Sequence, residues 1–319
     1  MRARLRSALA VGLAVAAVWC AVPAHAHALS GITVAPALNN VVLQPDDAEK
    51  TLLISVTNNN QTTQTVKLSG LDFGTLDESG GLAFINQKVD SRQTKYGLTS
   101  WLQFDTDTLT LEPGQKKDAA VNIINKESLA PGGHYAAVVV TPVKDTATND
   151  RVNLVPSTSA LILLRKNGGV VEDLRLVQTD VQGAGRFKFP TSVTLRFQNA
   201  GNVHLVPRGL VTVTDTLGHT LAKGIINEDS GFILPETFRK FPVALDQLEG
   251  RTWPGQYKIN VTWRYDGSPA THQSVVKFYY FVNFWYLFFG IACIALICFV
   301  VLKTRPWRKV IHRGRKTPV

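Results

Sequence analysis

The chain has 319 residues, 45% of them hydrophobic, and a formal net charge of +10; that length accommodates one or two domains of about 100 to 200 residues each. The charge is concentrated at the ends: Arg2, Arg4 and Arg6 open the chain and seven basic residues close it, leaving 24 basic and 24 acidic residues between His27 and Lys277. A neutral middle has no overall field to draw DNA, RNA or an anionic lipid surface, so no nucleic-acid partner is expected and the high isoelectric point reports targeting.

Three arginines, an apolar run from Ala8 to Val22 and the small-residue pattern Ala24-His25-Ala26 predict a signal peptide over residues 1–26, with Ala24 and Ala26 marking the cleavage site. A second such pattern follows at Ala26-His27-Ala28. Cys20 lies in this leader, while Cys293 and Cys298 lie in an apolar stretch near the other end. The region between them has no cysteine, so its folding must rest on core burial without disulfides.

From Leu29 to Lys277 the sequence reads as short alternating strands between turn clusters, with no stretch of apolar residues at helical spacing. Leu52, Ile54 and Val56 alternate before Asn58-Asn59-Asn60, Val121 and Ile123 follow Glu112-Pro113-Gly114, and Tyr135 to Val140 follows Pro131-Gly132-Gly133. Downstream, Val193, Leu195 and Phe197 lead into Asn199-Ala200-Gly201-Asn202, and Tyr257, Ile259, Val261 and Trp263 follow Pro254-Gly255 with period two. Pro113 matches Pro235 at an offset of 122 residues and Pro131 matches Pro254 at 123, whereas Asn58 matches Asn199 at 141. The longer connection from Phe73 to Ser100 in the first copy accounts for the drift. The predicted fold is therefore all-β, with two tandem immunoglobulin-like β-sandwich domains over residues 29–166 and 167–277, divided near Lys166-Asn167-Gly168-Gly169. A single up-and-down barrel is the architectural alternative.

From Phe278 to Leu302 no residue is charged, and these 25 residues predict a single transmembrane α-helix of about 37 Å. Trp285 and Tyr286 suit an interfacial aromatic belt, with Asn283 at headgroup level. The tail over residues 303–319 holds Lys303, Arg305, Arg308, Lys309, Arg313, Arg315 and Lys316 and no acid. The positive-inside rule places it in the cytoplasm and the β region outside.

No strong catalytic or metal motif is present. His134, His204, His219 and His272 fall on separate turns or strand ends, where satisfied or solvated imidazoles compete with a gathered metal site. Asp105-x-Asp107 resembles the opening of a calcium loop without its later acidic position or glycine. Asp72, Asp77 and Glu78 could pair for sugar hydrolysis, or simply be solvated in a Gly-rich loop. Asn199 to Gly209 is the most distinctive segment, read either as a ligand loop or as turn chemistry. Trp101, Trp253 and Trp263 could stack on sugars or fill the core. Asn60-Gln61-Thr62 and Asn260-Val261-Thr262 match the glycosylation acceptor pattern.

The order of signal peptide, Asn-ended strand, Leu111-Glu-Pro-Gly-Gln115, Pro131-Gly-Gly-His-Tyr135, Asn199-Ala-Gly-Asn-Val-His204 with Pro207-Arg-Gly209, helix and basic tail resembles bacterial WxL-interacting surface proteins over roughly Leu29 to Val319. The resemblance implies two immunoglobulin-like ectodomains, one binding the cell wall and the other a partner or host matrix, with a helical anchor; it assigns no individual binding residue. The resulting expectation is a membrane-anchored, non-enzymatic adhesion or scaffolding protein, without cofactor or metal, that binds cell-wall polymer or another surface protein. A chaperone-like assembly factor offering a sheet edge and a cryptic wall-processing enzyme are the alternatives.

Overall fold

The computed structural model describes residues 31–84, 95–143, 157–185, 188–248, 253–280 and 284–304. The expected cleavage residues Ala24 and Ala26, and the tail residues Arg305, Arg308, Lys309, Arg313, Arg315 and Lys316, lie outside the described residues. The chain divides into two compact units, residues 1–73 with 84–167, and residues 74–83 with 168–319.

The first unit is a sandwich of two sheets. One has the order β1 (Ile32–Ala35), β3 (Glu49–Asn58), β8 (Lys116–Ile124), β6 (Leu102–Phe104). The other runs β2 (Leu38–Leu43), β10 (Thr158–Lys166), β9 (Gly132–Pro142), β4 (Gln64–Thr75), β5 (Leu82–Phe84), with β7 (Thr108–Leu111) also on β4. Period-two patterns decide what faces inward: Ile54 and Val56 on β3, Val121 and Ile123 on β8, Val138 and Val140 on β9, and Ile162 and Leu164 on β10 are all fully buried. Each such aliphatic side chain contributes about 1.5–3 kcal/mol by leaving water, which lets the unit fold without a disulfide. Pro36, which has no N–H to give a ladder, separates β1 from β2, and the chain changes sheets there: β1 pairs with β3 and β2 runs parallel to β10.

The second unit has a smaller sheet, β11 (Leu174–Gln182), β12 (Ser192–Asn199), β15 (Phe238–Ala244). Its larger sheet has the order β16 (Asp246–Gln247), β14 (Thr220–Ile226), β13 (Pro207–Thr214), β17 (Gly255–Tyr265), β18 (His272–Tyr280). Val193, Leu195 and Phe197 on β12 meet Val211 and Val213 on β13 and Ile259, Val261 and Trp263 on β17 in its core. The all-β expectation for residues 29–277 is thus what the described strands form.

The expected span start at Phe278 is corrected. Residues 272–280 alternate with period two and pair in unbroken register with Trp263 back to Gly255, so Phe278, Tyr279 and Tyr280 complete β18. A strand already holding Phe278 against Tyr257 cannot begin a helix there; α1 (Phe284–Thr304) starts later and contains Leu302 and Lys303. The side chains described within α1 are those of residues 288–303, and over that described stretch the helix is not long and apolar enough to cross a membrane.

Candidate functional site

Sheet ends carry unpaired N–H and C=O groups, and folded proteins blunt them by shortness, bulges, charge or cover. In the second unit β16 has two residues. On β15 the Lys240 amide donates to the Glu78 carbonyl at 2.7 Å, so part of that edge is covered. β11 has a register shift between Leu176 and Gln178 and carries Arg175 and Asp180 outward. β18 differs from all three: nine residues pair with β17 without a shift, and no strand borders its other side among the described residues.

The composition of β18 explains its placement. His272, Val276, Phe278 and Tyr280 turn toward the interior and are only half-buried, because the sheet stops beside them. His272 stacks on Trp263 at 5.5 Å between ring centroids, and Phe278 lies 5.5 Å from Tyr257 and 5.9 Å from Phe189. Gln273, Val275, Lys277 and Tyr279 face solvent, with Val275 51% and Tyr279 58% exposed. The edge is an extended ladder with one apolar and one mixed row, able to accept a further strand.

The other singled-out residues have structural tasks. The Asp72 carboxylate accepts from the Leu98 and Thr99 amides, each at 2.8 Å, and from the Thr99 hydroxyl at 2.7 Å. Asp77 accepts from the amide and hydroxyl of Ser79, which hold its carboxyl below the usual range. Glu78 accepts two bonds from the Arg196 guanidinium, at 2.6 and 2.8 Å, with Lys240 3.4 Å away; chiefly through Arg196, its carboxyl is lowered to about 2. Asp72 belongs to the first unit and Asp77 and Glu78 to the second, so each acid is committed separately. Asp105 accepts from Asn122 and Asp107 from Thr108, and no cluster of three metal-ligating side chains occurs among the described residues.

Of the histidines, His134 is buried between the carbonyls of Gly97 and Ala130, and burial pushes its imidazole down. His219 pairs with Asp215 at 3.0 Å on the surface. Trp263 is core, Trp101 packs half-buried against the core of the first unit, and Trp253 is exposed. The segment from Asn199 to Gly209 is turn and strand start. The buried Asn199 carboxamide donates to the carbonyls of Val203 at 2.7 Å and Ile233 at 2.9 Å and accepts from the Gly201 amide at 3.0 Å. At Gly209 a Cβ would stand 2.0 Å from the Thr262 carbonyl oxygen, so the glycine admits β17 alongside β13.

No family model matches the chain, and no curated protein matches it either. Solved structures do match. The class 5 fimbriae chaperone CfaA is 12% identical, covering 77% of this chain and 98% of its own, with a TM-score of 0.41. A chaperone–tip adhesin complex of CFA/I fimbriae biogenesis is 11% identical over 80% of this chain and all of its own, also at 0.41. The Salmonella enterica SafA pilin in complex with the SafB chaperone is 12% identical over 78% and 97%, at 0.37. At these identities the likeness concerns fold.

The expected adhesion or scaffolding protein that binds wall polymer is corrected at its sugar-stacking candidates, since Trp263 lies in the core of the second unit and Trp101 packs half-buried against that of the first. The sheet-edge alternative agrees with β18, which sequence reasoning missed because Phe278 to Tyr280 continue without a charge into the apolar helix. The signal available was the alternation from His272 onward, matched to Tyr257–Trp263.

Proposed function

We propose that this protein is a non-enzymatic assembly factor that holds an extended segment of a partner protein at the β18 edge, tethered by a membrane span through α1. The observation that carries the reading is that β18 is a nine-residue, unshifted edge strand with a half-buried apolar row. About four or five of its residues direct both N–H and C=O outward, as every second residue of an antiparallel strand does. Roughly eight new backbone bonds at ~1 kcal/mol net each would be offset by ~1–2 kcal/mol per ordered partner residue, so backbone pairing alone is marginal. Apolar side chains laid over Val276, Phe278 and Tyr280 supply the remainder. Structures similar in fold include chaperones in complex with a pilin or a tip adhesin, and a surface-protein subunit is the kind of partner proposed here. The resemblance to WxL-interacting proteins is proposed for architecture alone.

The tether rests on the 19 uncharged residues from Phe284 to Leu302, about 28 Å as a helix against a hydrocarbon core of ~30 Å. Phe288, Phe289, Ile291 and Ile294 on it are each at least 60% exposed, an apolar surface suited to lipid. A photo-crosslinking residue at Val275 or Tyr279 of the full chain, in its native membrane, tests the edge. Adducts should map to one extended segment of one partner protein, and should be scarce from Val177 on β11. Equal yields from Val177 and Val275 would remove β18 as the site.

A further inference from the structure

We infer that the segment received at β18 carries an acidic residue beside Lys277 with apolar residues on either side of it; this rests on the assembly-factor reading and specifies its partner. On the solvent face of the larger sheet Lys258 of β17 lies directly opposite Lys277 of β18, and both are exposed. Like charges directly opposed across a ladder weaken it, so this pair favours the sheet only when a neighbour compensates. Neither ammonium has a carboxylate partner among the described residues. The inner neighbour of Lys258 in the same row is Thr214, so the one position left beside Lys277 is the open edge itself. A strand added there puts one side chain next to Lys277, and a carboxylate in it faces both lysines along the row.

On the opposite face Val276, Phe278 and Tyr280 are half-buried, with Phe189 packed on the two aromatic rings at 5.9 and 6.3 Å. The positions of an added strand that flank the acidic one project to this face, because successive side chains alternate. Apolar residues there extend the core sideways; polar ones strand the aromatic row against unsatisfied groups. The two faces together call for an acidic residue beside Lys277 with apolar residues flanking it. A second copy of this chain is a poorer occupant, since its own β18 brings Lys277 again to a rim already holding two lysines.

The test uses the full chain in neutral detergent and labelled nine-residue peptides that alternate Val with Glu, Val with Gln or Val with Lys, beside a Val/Glu peptide of scrambled order. Binding by fluorescence anisotropy at low salt should rank Glu over Gln over Lys, with about fivefold or more between the extremes. The spread should shrink at about 0.5 M salt, where screening is near 4 Å, and the exposed substitution Lys277→Glu should invert the order. Equal affinities for the three alternating peptides would overturn the charge inference and leave the edge reading standing. No preference for alternating over scrambled peptide would overturn both. A peptide-free dimer broken by Val275→Pro would assign the edge to a second copy and overturn the inference.

Discussion

Asn58 and Asn199 close the third strand of the first unit and the second strand of the other, and both carboxamides are fully buried. Asn58 donates to the carbonyls of Thr62, Leu111 and Glu112 at 2.9 to 3.1 Å and accepts from the Asn60 amide at 3.0 Å. Asn199 repeats this with Val203, Ile233 and Gly201. Alanine at either position removes the acceptor of the Asn60 or Gly201 amide and takes a donor from buried carbonyls, of which Glu112 and Ile233 keep the Gln115 and Leu205 amides, so each substitution should cost about 1–3 kcal/mol, read as a fall in the urea midpoint. Aspartate should cost more, because a buried carboxylate would face those same carbonyl oxygens. A midpoint unmoved by Asn199→Ala would mean that the segment is held by something else. Both asparagines were legible as landmarks of a repeat, since Asn tolerates turn geometry at a strand end. Their acceptors were not: Leu111 and Ile233 lie 53 and 34 residues away, and only folding brings those carbonyls to the side chain.

Strands and their connections show a similar division between local pattern and distant partner. Alternation alone placed β3, β8, β12 and β17, each with an apolar row of clear period. It did not place residues 74–83, which group with the second unit although sequence order assigns them to the first. Within that unit Glu78 bridges Arg196 of β12 and Lys240 of β15, and the Arg239 guanidinium fits where a Cβ on Gly80 or Gly231 would stand, 2.3 and 2.6 Å from its atoms. Glu78 could be read as half of a catalytic pair because sequence does not show its cations. Its folded-state carboxyl, near 2, lies below the ordinary glutamate value of about 4.3. The ion pair therefore stabilises the fold fully above that ordinary value and is lost as pH falls from there through about 2. NMR titration of the Glu78 carboxyl should give a midpoint near 2 in the native chain and one moved up toward the ordinary value in Arg196→Gln. An unchanged midpoint in that variant would sink the assignment of Arg196 as the main cause. The same limit applies at β18: a one-dimensional hydropathy pattern merges Phe278 to Tyr280 with the helix, whereas pairing with Gly255 to Tyr257 separates them.

For the whole molecule, the separation of strand from helix moves the outer boundary and sharpens the proposed topology. With β18 ending at Tyr280 and α1 beginning at Phe284, three residues join an edge strand to the tether, so the open edge sits close to the membrane surface if α1 spans it. For the proposed span, the seven basic residues that follow Leu302 without an acid suit a cytoplasmic end and an exterior β region. Cysteines make this measurable, because residues 29–277 contain none and Cys293 and Cys298 lie in α1. In intact cells a membrane-impermeant maleimide should label Tyr279→Cys, whose native side chain is 58% exposed. It should leave Cys293 and Cys298 unmodified until detergent opens the apolar layer, and a cysteine placed after Val319 should react only after lysis. External protease should likewise remove the β region and spare a C-terminal tag. Labelling of Cys293 in intact cells would contradict the span, and labelling of the C-terminal cysteine from outside would reverse its direction. The second result would also move the β18 edge away from the exterior face, where a surface-protein segment is proposed to meet it.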